Sequence, residues 1–254
     1  MINGGIINTV AAAAEVCTTN DSSFPVANTA YYKLDGDATD SAGTYNGTPS
    51  SITWGVGRFG PAAVFNGSGS HIDFQSPIPY TNTDMTFSCW INLASSFSSS
   101  YKAIIGAGNK TGGEGRIRLL IRYMGTNSYR IEPIRAYSGN SYYTSATSYP
   151  AQTIYAGTWY NLVYTYSATG NTAKIYLNGS LVSTTNLTIT STDTDSGVLA
   201  LGQYRDNPNP ITFWDGSMDQ VRIFPTTLTQ AQVTELYEDE IECCTTDEVN
   251  YPVT

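Results

Sequence analysis

The chain has 254 residues, 41 % of them hydrophobic and 13 % charged, which is enough to bury a full core in one all-β domain. Its net charge of −9, with only 12 Lys and Arg, argues against a nucleic-acid partner, which needs a basic face. No apolar run approaches the ~18 residues of a membrane span, and 19 Tyr, 23 Gly and abundant Ser, Thr and Asn suit short strands joined by polar turns.

Residues 1–28 read as an N-terminal arm, 29–240 as one domain and 241–254 as a tail. Met1 to Ala14 is mildly apolar but lacks the basic start of a secretory signal. The expectation is a protein that stays in the cell or leaves it without a signal, as a virion protein released by lysis does. Alternation predicts strands at 30–34, 62–66, 71–74, 85–92, 103–107, 117–123, 129–137, 159–167, 172–177, 181–184, 198–203 and 217–224. Asn178-Gly179 predicts a type I′ hairpin. In the last strand, Met218, Gln220, Arg222 and Phe224 point one way, and Asp219, Val221 and Ile223 the other. Thr229 to Gln232 has the capping-box spacing, and Val233, Leu236 and Tyr237 give one short helix an apolar stripe. Together these elements predict a two-sheet antiparallel jelly-roll sandwich with a C-terminal helix.

Cys89 alternates with Met85, Phe87 and Ile91 and is expected to be a buried free thiol. Cys17, Cys243 and Cys244 lie at the two ends. The segment from Cys17 to Ala27 recurs without a gap as Cys244 to Thr254, sharing Cys-Thr-Thr and Pro-Val. The second copy reads as the start of a further domain, as in a tandem or head-to-tail array.

Six segments carry a family resemblance. They are Tyr31 to Gly43 with Asn46-Gly47-Thr48, Gly57 to Gly67, Phe87 to Ile91, Gly157 to Val163, Ile175 to Gly179, and Phe213 to Phe224. In this order they resemble the LamG-like, pentraxin-related branch of the concanavalin A-like lectin/glucanase superfamily, over about residues 29–238. The resemblance implies chain ends that lie close together, so a Cys17–Cys243 or Cys17–Cys244 disulfide stands beside the alternative of free thiols. The opening segment and the Asn-Gly-Thr turn are also similar to those of phage structural proteins.

Asp35, Asp37 and Asp40 form an acidic turn whose hard oxygens suit Ca²⁺, without EF-hand spacing. The resemblance implies a structural calcium held by Asp40 and Asp219, with Gly43, Asn46 and Asp37 as further candidates. The alternative is that Asp40 caps a turn and Asp219 pairs with an arginine such as Arg58. No Glu-x-Asp-x-x-Glu strand of the glucanase type is present, Glu114 and Glu132 stand isolated, and His71 is the only histidine. The chain is therefore expected not to be an enzyme.

For glycan binding, Tyr142, Tyr143, Tyr204, Arg205 and Asn207 lie in turn-rich segments and are the candidate platform, although 19 Tyr would expose some by composition alone. Trp90, Trp159 and Trp214 are expected to pack. Two functions follow. One is a non-catalytic virion or surface-appendage protein that attaches to host glycans or surface polymers. The other is a structural subunit, a homo-oligomer contacting other virion subunits through its terminal segments.

Overall fold

The computed structural model describes residues 24–74, 83–95, 97, 101–108, 117–137, 141–143, 150–186, 198–206 and 209–242. Two large antiparallel sheets face each other. The first holds β1 (Ala30–Tyr32), β3 (Thr53–Val56), β4 (Pro61–Asn66), β6 (Met85–Leu93), β12 (Trp159–Ser167), β13 (Thr172–Leu177), β14 (Ser180–Asn186) and β18 (Asp215–Phe224), in the order β14-β13-β12-β6-β18-β4-β3 with β1 beside β18. The second holds β2 (Gly47–Ser50), β5 (His71–Phe74), β7 (Tyr101–Gly108), β8 (Ile117–Gly125), β9 (Ser128–Tyr137), β10 (Ser141–Tyr143), β11 (Gln152–Thr153) and β15 (Val198–Leu201), in the order β10-β9-β8-β7-β15-β5-β2 with β11 beside β9. The strands β16 (Gln203–Asp206) and β17 (Asn209–Phe213) form a separate two-stranded ribbon. This is the all-β sandwich that the alternation predicts.

The core lies between the sheets. Phe87, Cys89 and Ile91 of β6 and Leu162 and Tyr164 of β12 meet Ile72 and Phe74 of β5, Leu119 and Ile121 of β8, and Tyr129 and Ile131 of β9. Each large apolar side chain enclosed there stabilises the fold by about 1.5–3 kcal/mol. Cys89 is buried and free, as expected. Asn178 and Gly179 turn with φ of 49° and 74°, the left-handed pair a type I′ hairpin requires.

The helix α1 (Gln230–Glu242) covers the outer side of the first sheet. Thr229 Oγ1 accepts from the Gln232 N–H at 3.3 Å, while Gln232 Oε1 accepts from the Thr229 N–H at 2.9 Å, completing the capping box. Val233 and Leu236 then bury against Val163, Tyr176 and Phe224. Among the described residues, no helix is long and apolar enough to cross a membrane.

One strand departs from its sequence reading. In β18 the register against β6 slips between Asp219, opposite Trp90, and Arg222, opposite Ser88. The extra residue is Gln220, with φ of 50°, and such a bulge inverts the alternation beyond it. Val221 and Ile223 therefore join Met218 in the core. Asp219, read as sharing their face, instead lies opposite Trp90, which packs with Phe59 in a cluster on the helix side.

Candidate functional site

A second covering layer sits on the far side of the second sheet, and its chemistry differs. Leu119 and Ile121 of β8 enter the core, so the alternate residues Arg118, Leu120 and Arg122 face away from it. In β9, Tyr129 and Ile131 enter the core, so Arg130 and Glu132 face away. The register sets Arg122 opposite Arg130 and Leu120 opposite Glu132. Glu132 is only 2 % exposed, although it lies on the outer face. Its Oε1 stands 3.7 Å from Arg122 Nη1 and 3.8 Å from Arg130 Nη1. Burial pushes the Glu132 carboxyl up, and the charges of Arg122, Arg130 and Arg118 pull it back.

Two tyrosine rings complete the cluster. The Arg122 guanidinium lies 5.1 Å from the Tyr101 ring centroid, and that of Arg118 lies 4.3 Å from the Tyr204 ring centroid. Tyr204 reaches Arg118 because the ribbon presses onto β7. A Cβ on Gly106 would sit 2.9 Å from the Gln203 carbonyl oxygen and 3.2 Å from Tyr204 Cα, so only a glycine admits this approach. Thr212 Oγ1 donates to the Tyr101 carbonyl, and Gln203 Nε2 donates to Asp73 Oδ1 at 2.9 Å. His71 Nε2 is 3.6 Å from Asp73 Oδ2, which brings the one histidine to the same face.

The sequence candidates are distributed unevenly around this site. Tyr204 belongs to it, but as a buried ring under Arg118; the open platform expected of it is not there, because the ribbon folds the ring inward. Tyr142 and Tyr143 lie on β10, whose backbone pairs them with Ala136 and Arg135 at the edge of the same sheet. Arg205 lies on β16 by its backbone, and Asn207 lies outside the described residues. Trp90 and Trp214 are buried, as expected of packing positions. Glu132, read as isolated, is the best-enclosed carboxylate of the face, because β8 and β9 bring three arginines to it. Arg118, Arg122, Arg130 and Tyr101 were absent from the sequence candidates. Their signal was the charge at alternate positions in strands whose other residues are apolar.

The residues proposed to hold calcium are organised differently. Asp40 is 2 % exposed and accepts four backbone N–H bonds: Oδ1 from Tyr31 at 2.8 Å and Ala42 at 2.9 Å, Oδ2 from Thr44 at 3.0 Å and Tyr45 at 2.9 Å. A carboxylate has about four lone-pair sites, so these bonds leave none for a cation. Asn46 Oδ1 accepts from the Asp40 N–H, the Gly43 N–H donates to the Asp40 carbonyl, and Asp37 Oδ1 accepts from Thr39. Asp219 Oδ2 accepts from the backbone N–H groups of Arg58 at 2.8 Å and Phe59 at 3.0 Å, and Oδ1 accepts from Gln220 Nε2 at 3.1 Å. No donor serves both carboxylates, and no group of three or more metal-ligating side chains occurs among the described residues. A calcium shared by Asp40 and Asp219 does not fit this arrangement. Asp40 fixes a turn instead; Asp219 accepts from the Arg58 backbone N–H, and the ion pair expected with that arginine is replaced by its guanidinium lying over the Phe59 and Trp90 rings. Cys17, Cys243 and Cys244 lie outside the described residues.

Two facing antiparallel sheets with one short covering helix make a jelly-roll sandwich. The chain belongs to the Laminin_G_3 family of the concanavalin A-like lectin/glucanases superfamily, whose sequence model matches residues 66–234. Among solved structures it is similar to domain 4 of AbnA, a GH43 extracellular arabinanase from Geobacillus stearothermophilus, in complex with arabinotriose. That match has a TM-score of 0.61 and 21 % identity, and covers 84 % of this chain and 98 % of that one. The heptameric SAP-like pentraxin of Limulus polyphemus matches with a TM-score of 0.55 and 18 % identity, over 67 % of this chain and 78 % of that one. Trypanosoma rangeli sialidase in complex with the inhibitor DANA gives 0.62 and 14 %, over 88 % of this chain but only 35 % of that one. These likenesses show a shared fold, found in an enzyme and in a carbohydrate-bound domain alike. No curated protein matches the sequence.

Proposed function

We propose that this domain is a non-catalytic glycan-binding module, and that the glycan docks on the outer face of the second sheet around Glu132. The observation that carries this is a carboxylate 2 % exposed, on the face turned away from the core, within 4 Å of two arginines and in the field of a third. Folding does not call for such a group: a buried ion pair is often no more stable than apolar residues of similar size. Ligand sites place a few fixed polar side chains beside aromatic rings, an arrangement that can orient a sugar. The arabinotriose complex of a similar domain supports a carbohydrate ligand. Among the described residues the charges acting on Glu132 are all arginines, with no second carboxylate, which supports binding over hydrolysis by a carboxylate pair.

The wider setting, a virion or surface appendage contacting host cells, rests on the sequence resemblance to phage structural proteins. A structural subunit is the second reading, favoured by the repeated Cys-Thr-Thr segments at Cys17 and Cys244. A glycan array probed with the full chain and with Glu132→Gln and Tyr101→Ala tests the first reading. Binding that both variants weaken at least tenfold is expected; equal binding by all three proteins moves the site elsewhere, and no binding removes the reading. Trimming residues 1–20 or 240–254 tests the second reading: loss of assembly with a folded monomer is expected, and an unchanged oligomer excludes it.

A further inference from the structure

We infer that the Tyr251-Pro252-Val253 segment of one copy of this chain docks on the apolar patch that Phe24-Pro25-Val26 covers in another, so that copies join by exchanging the segment; the inference rests on the structural-subunit reading above. The patch lies on the outer side of the first sheet, whereas Glu132 stands on the outer side of the second. It is made of Val163 of β12, Tyr176 of β13, Phe224 of β18, and Val233 and Leu236 of α1. Phe24 and Val26 pack against it, with the Phe24 ring edge-on to Phe224 at 5.6 Å. Pro25 and Ala27 are exposed, so the segment docks by alternate side chains. It then runs directly into β1, where the Thr29 N–H donates to the Ile223 carbonyl at 2.7 Å and Ala30 pairs with Ile223.

The same docking chemistry returns in the segment from Cys244 to Thr254, which matches Cys17 to Ala27 without a gap. Tyr251, Pro252 and Val253 fall at the positions of Phe24, Pro25 and Val26, and the exposed Ala27 is matched by the polar Thr254. The two side chains that cover the patch are thus kept as an aromatic and a valine. Phe24 is only partly buried, so the hydroxyl that Tyr251 adds can stay in water. In both segments the proline fixes its own φ at about −65° and biases the aromatic before it toward an extended backbone. That restriction lowers the ordering cost of docking. One chain therefore carries two segments that fit one patch. Replacing one by the other leaves the patch covered, and exchange of an equivalent element between copies is a low-cost route to assembly. The chain's own segment, tethered beside the patch, competes at an effective concentration of roughly millimolar, so exchange is favoured where copies are crowded.

The test mixes two forms of the full chain in reductant, so that Cys17, Cys243 and Cys244 cannot link them. The donor carries Tyr251→p-benzoylphenylalanine, a photo-crosslinking aromatic, and the acceptor is uniformly labelled with a heavy isotope. After irradiation, crosslinks between the light and heavy chains are mapped by mass spectrometry. Expected are crosslinks from position 251 of the donor to β18 or α1 of the acceptor, around Phe224, Val233 and Leu236. Phe24→Ala in the acceptor, or the milder Val26→Ala, is first confirmed as folded by its melting profile. Phe24→Ala should raise the yield at low concentration roughly 10- to 100-fold, the affinity that one aromatic side chain supplies on burial. Val253→Asp in the donor leaves the acceptor untouched and should abolish the crosslinks. Crosslinks confined to the donor's own chain, crosslinks only to other surfaces of the acceptor, or a yield that both acceptor variants leave unchanged would overturn the inference. An oligomer seen by light scattering without crosslinks at the patch overturns it and leaves the structural-subunit reading standing. A monomer at every concentration removes both.

Discussion

The Arg118 guanidinium stacks 4.3 Å from the centre of the Tyr204 ring, and this contact joins the β16–β17 ribbon to the outer face of the second sheet. Tyr204 is 2 % exposed and packs with Ala103 and Leu120 beside Tyr101. Removing the ring empties a buried site and removes the cation–π contact. Tyr204→Ala is therefore expected to destabilise the domain by about 3–5 kcal/mol, as aromatic truncations do. Tyr204→Phe keeps the ring and should stay close to wild type. Chemical denaturation of the three proteins measures the difference.

Gly106 tests the same junction from the other side. Its backbone lies outside the left-handed region, so a side chain there meets a steric obstacle only: the Gln203 carbonyl at 2.9 Å and Tyr204 at 3.2 Å. Gly106→Val is expected to lift the ribbon, expose Arg118 and weaken glycan binding. The sandwich core, built from other residues, should stay intact. Hydrogen exchange should rise over residues 203–206 and stay unchanged in β6 and β12. Uniform acceleration would mean that the ribbon and the core open as one unit.

Much of this fold could be read in the chain because alternation is a local signal. The strand 159–167 and the Asn178-Gly179 turn are visible within a few residues, and so is the capping box at Thr229. The charged site was hidden for the opposite reason. Glu132 has no acidic or basic cluster beside it in sequence except Arg130, and its meeting with Arg118 and Arg122 depends on the β8–β9 register. The placement of Asp219 failed because the bulge falls on Gln220, a residue with no special preference for positive φ. Nothing in the local pattern announces a bulge there, yet it reverses the face of every residue after it.

Asp219 makes a prediction about stability between mildly acid and neutral pH. It is fully buried, and burial pushes its carboxyl up to about 8 despite the N–H groups of Phe59 and Arg58; the nearby Asp35 charge adds to the rise. Between the ordinary carboxylate range near 4 and about 8, the unfolded chain has released this proton while the folded one keeps it. The unfolded state binds fewer protons, so stability falls as pH rises through this window and levels off above it. Asp219→Asn, which cannot ionise, should flatten that slope. Melting temperatures from pH 4 to 9, with and without EDTA, check this. A slope that survives in the variant would assign it to other groups.

Asp40 acts with the opposite sign. Burial alone would raise its carboxyl, but N–H donation from Tyr31, Tyr45, Thr44 and Ala42 outweighs burial and holds it below the usual range. Its contribution is complete above the unfolded carboxylate value and is lost as pH falls through the lowered folded value. Stability should therefore decline below the ordinary carboxylate range through Asp40 and above it, up to about pH 8, through Asp219, with a maximum near that range. Asp40→Ala removes the acceptor for four backbone donors, two of which come from the turn residues Thr44 and Tyr45. Each donor left unsatisfied in a buried setting costs about 1–3 kcal/mol, so the variant should lose several kcal/mol and its acid-side dependence should shrink. Asp40→Asn retains one carbonyl oxygen, but its amide group faces N–H donors, so it should rescue only part of the loss. Full rescue by Asn would show that the turn needs shape and not the charge.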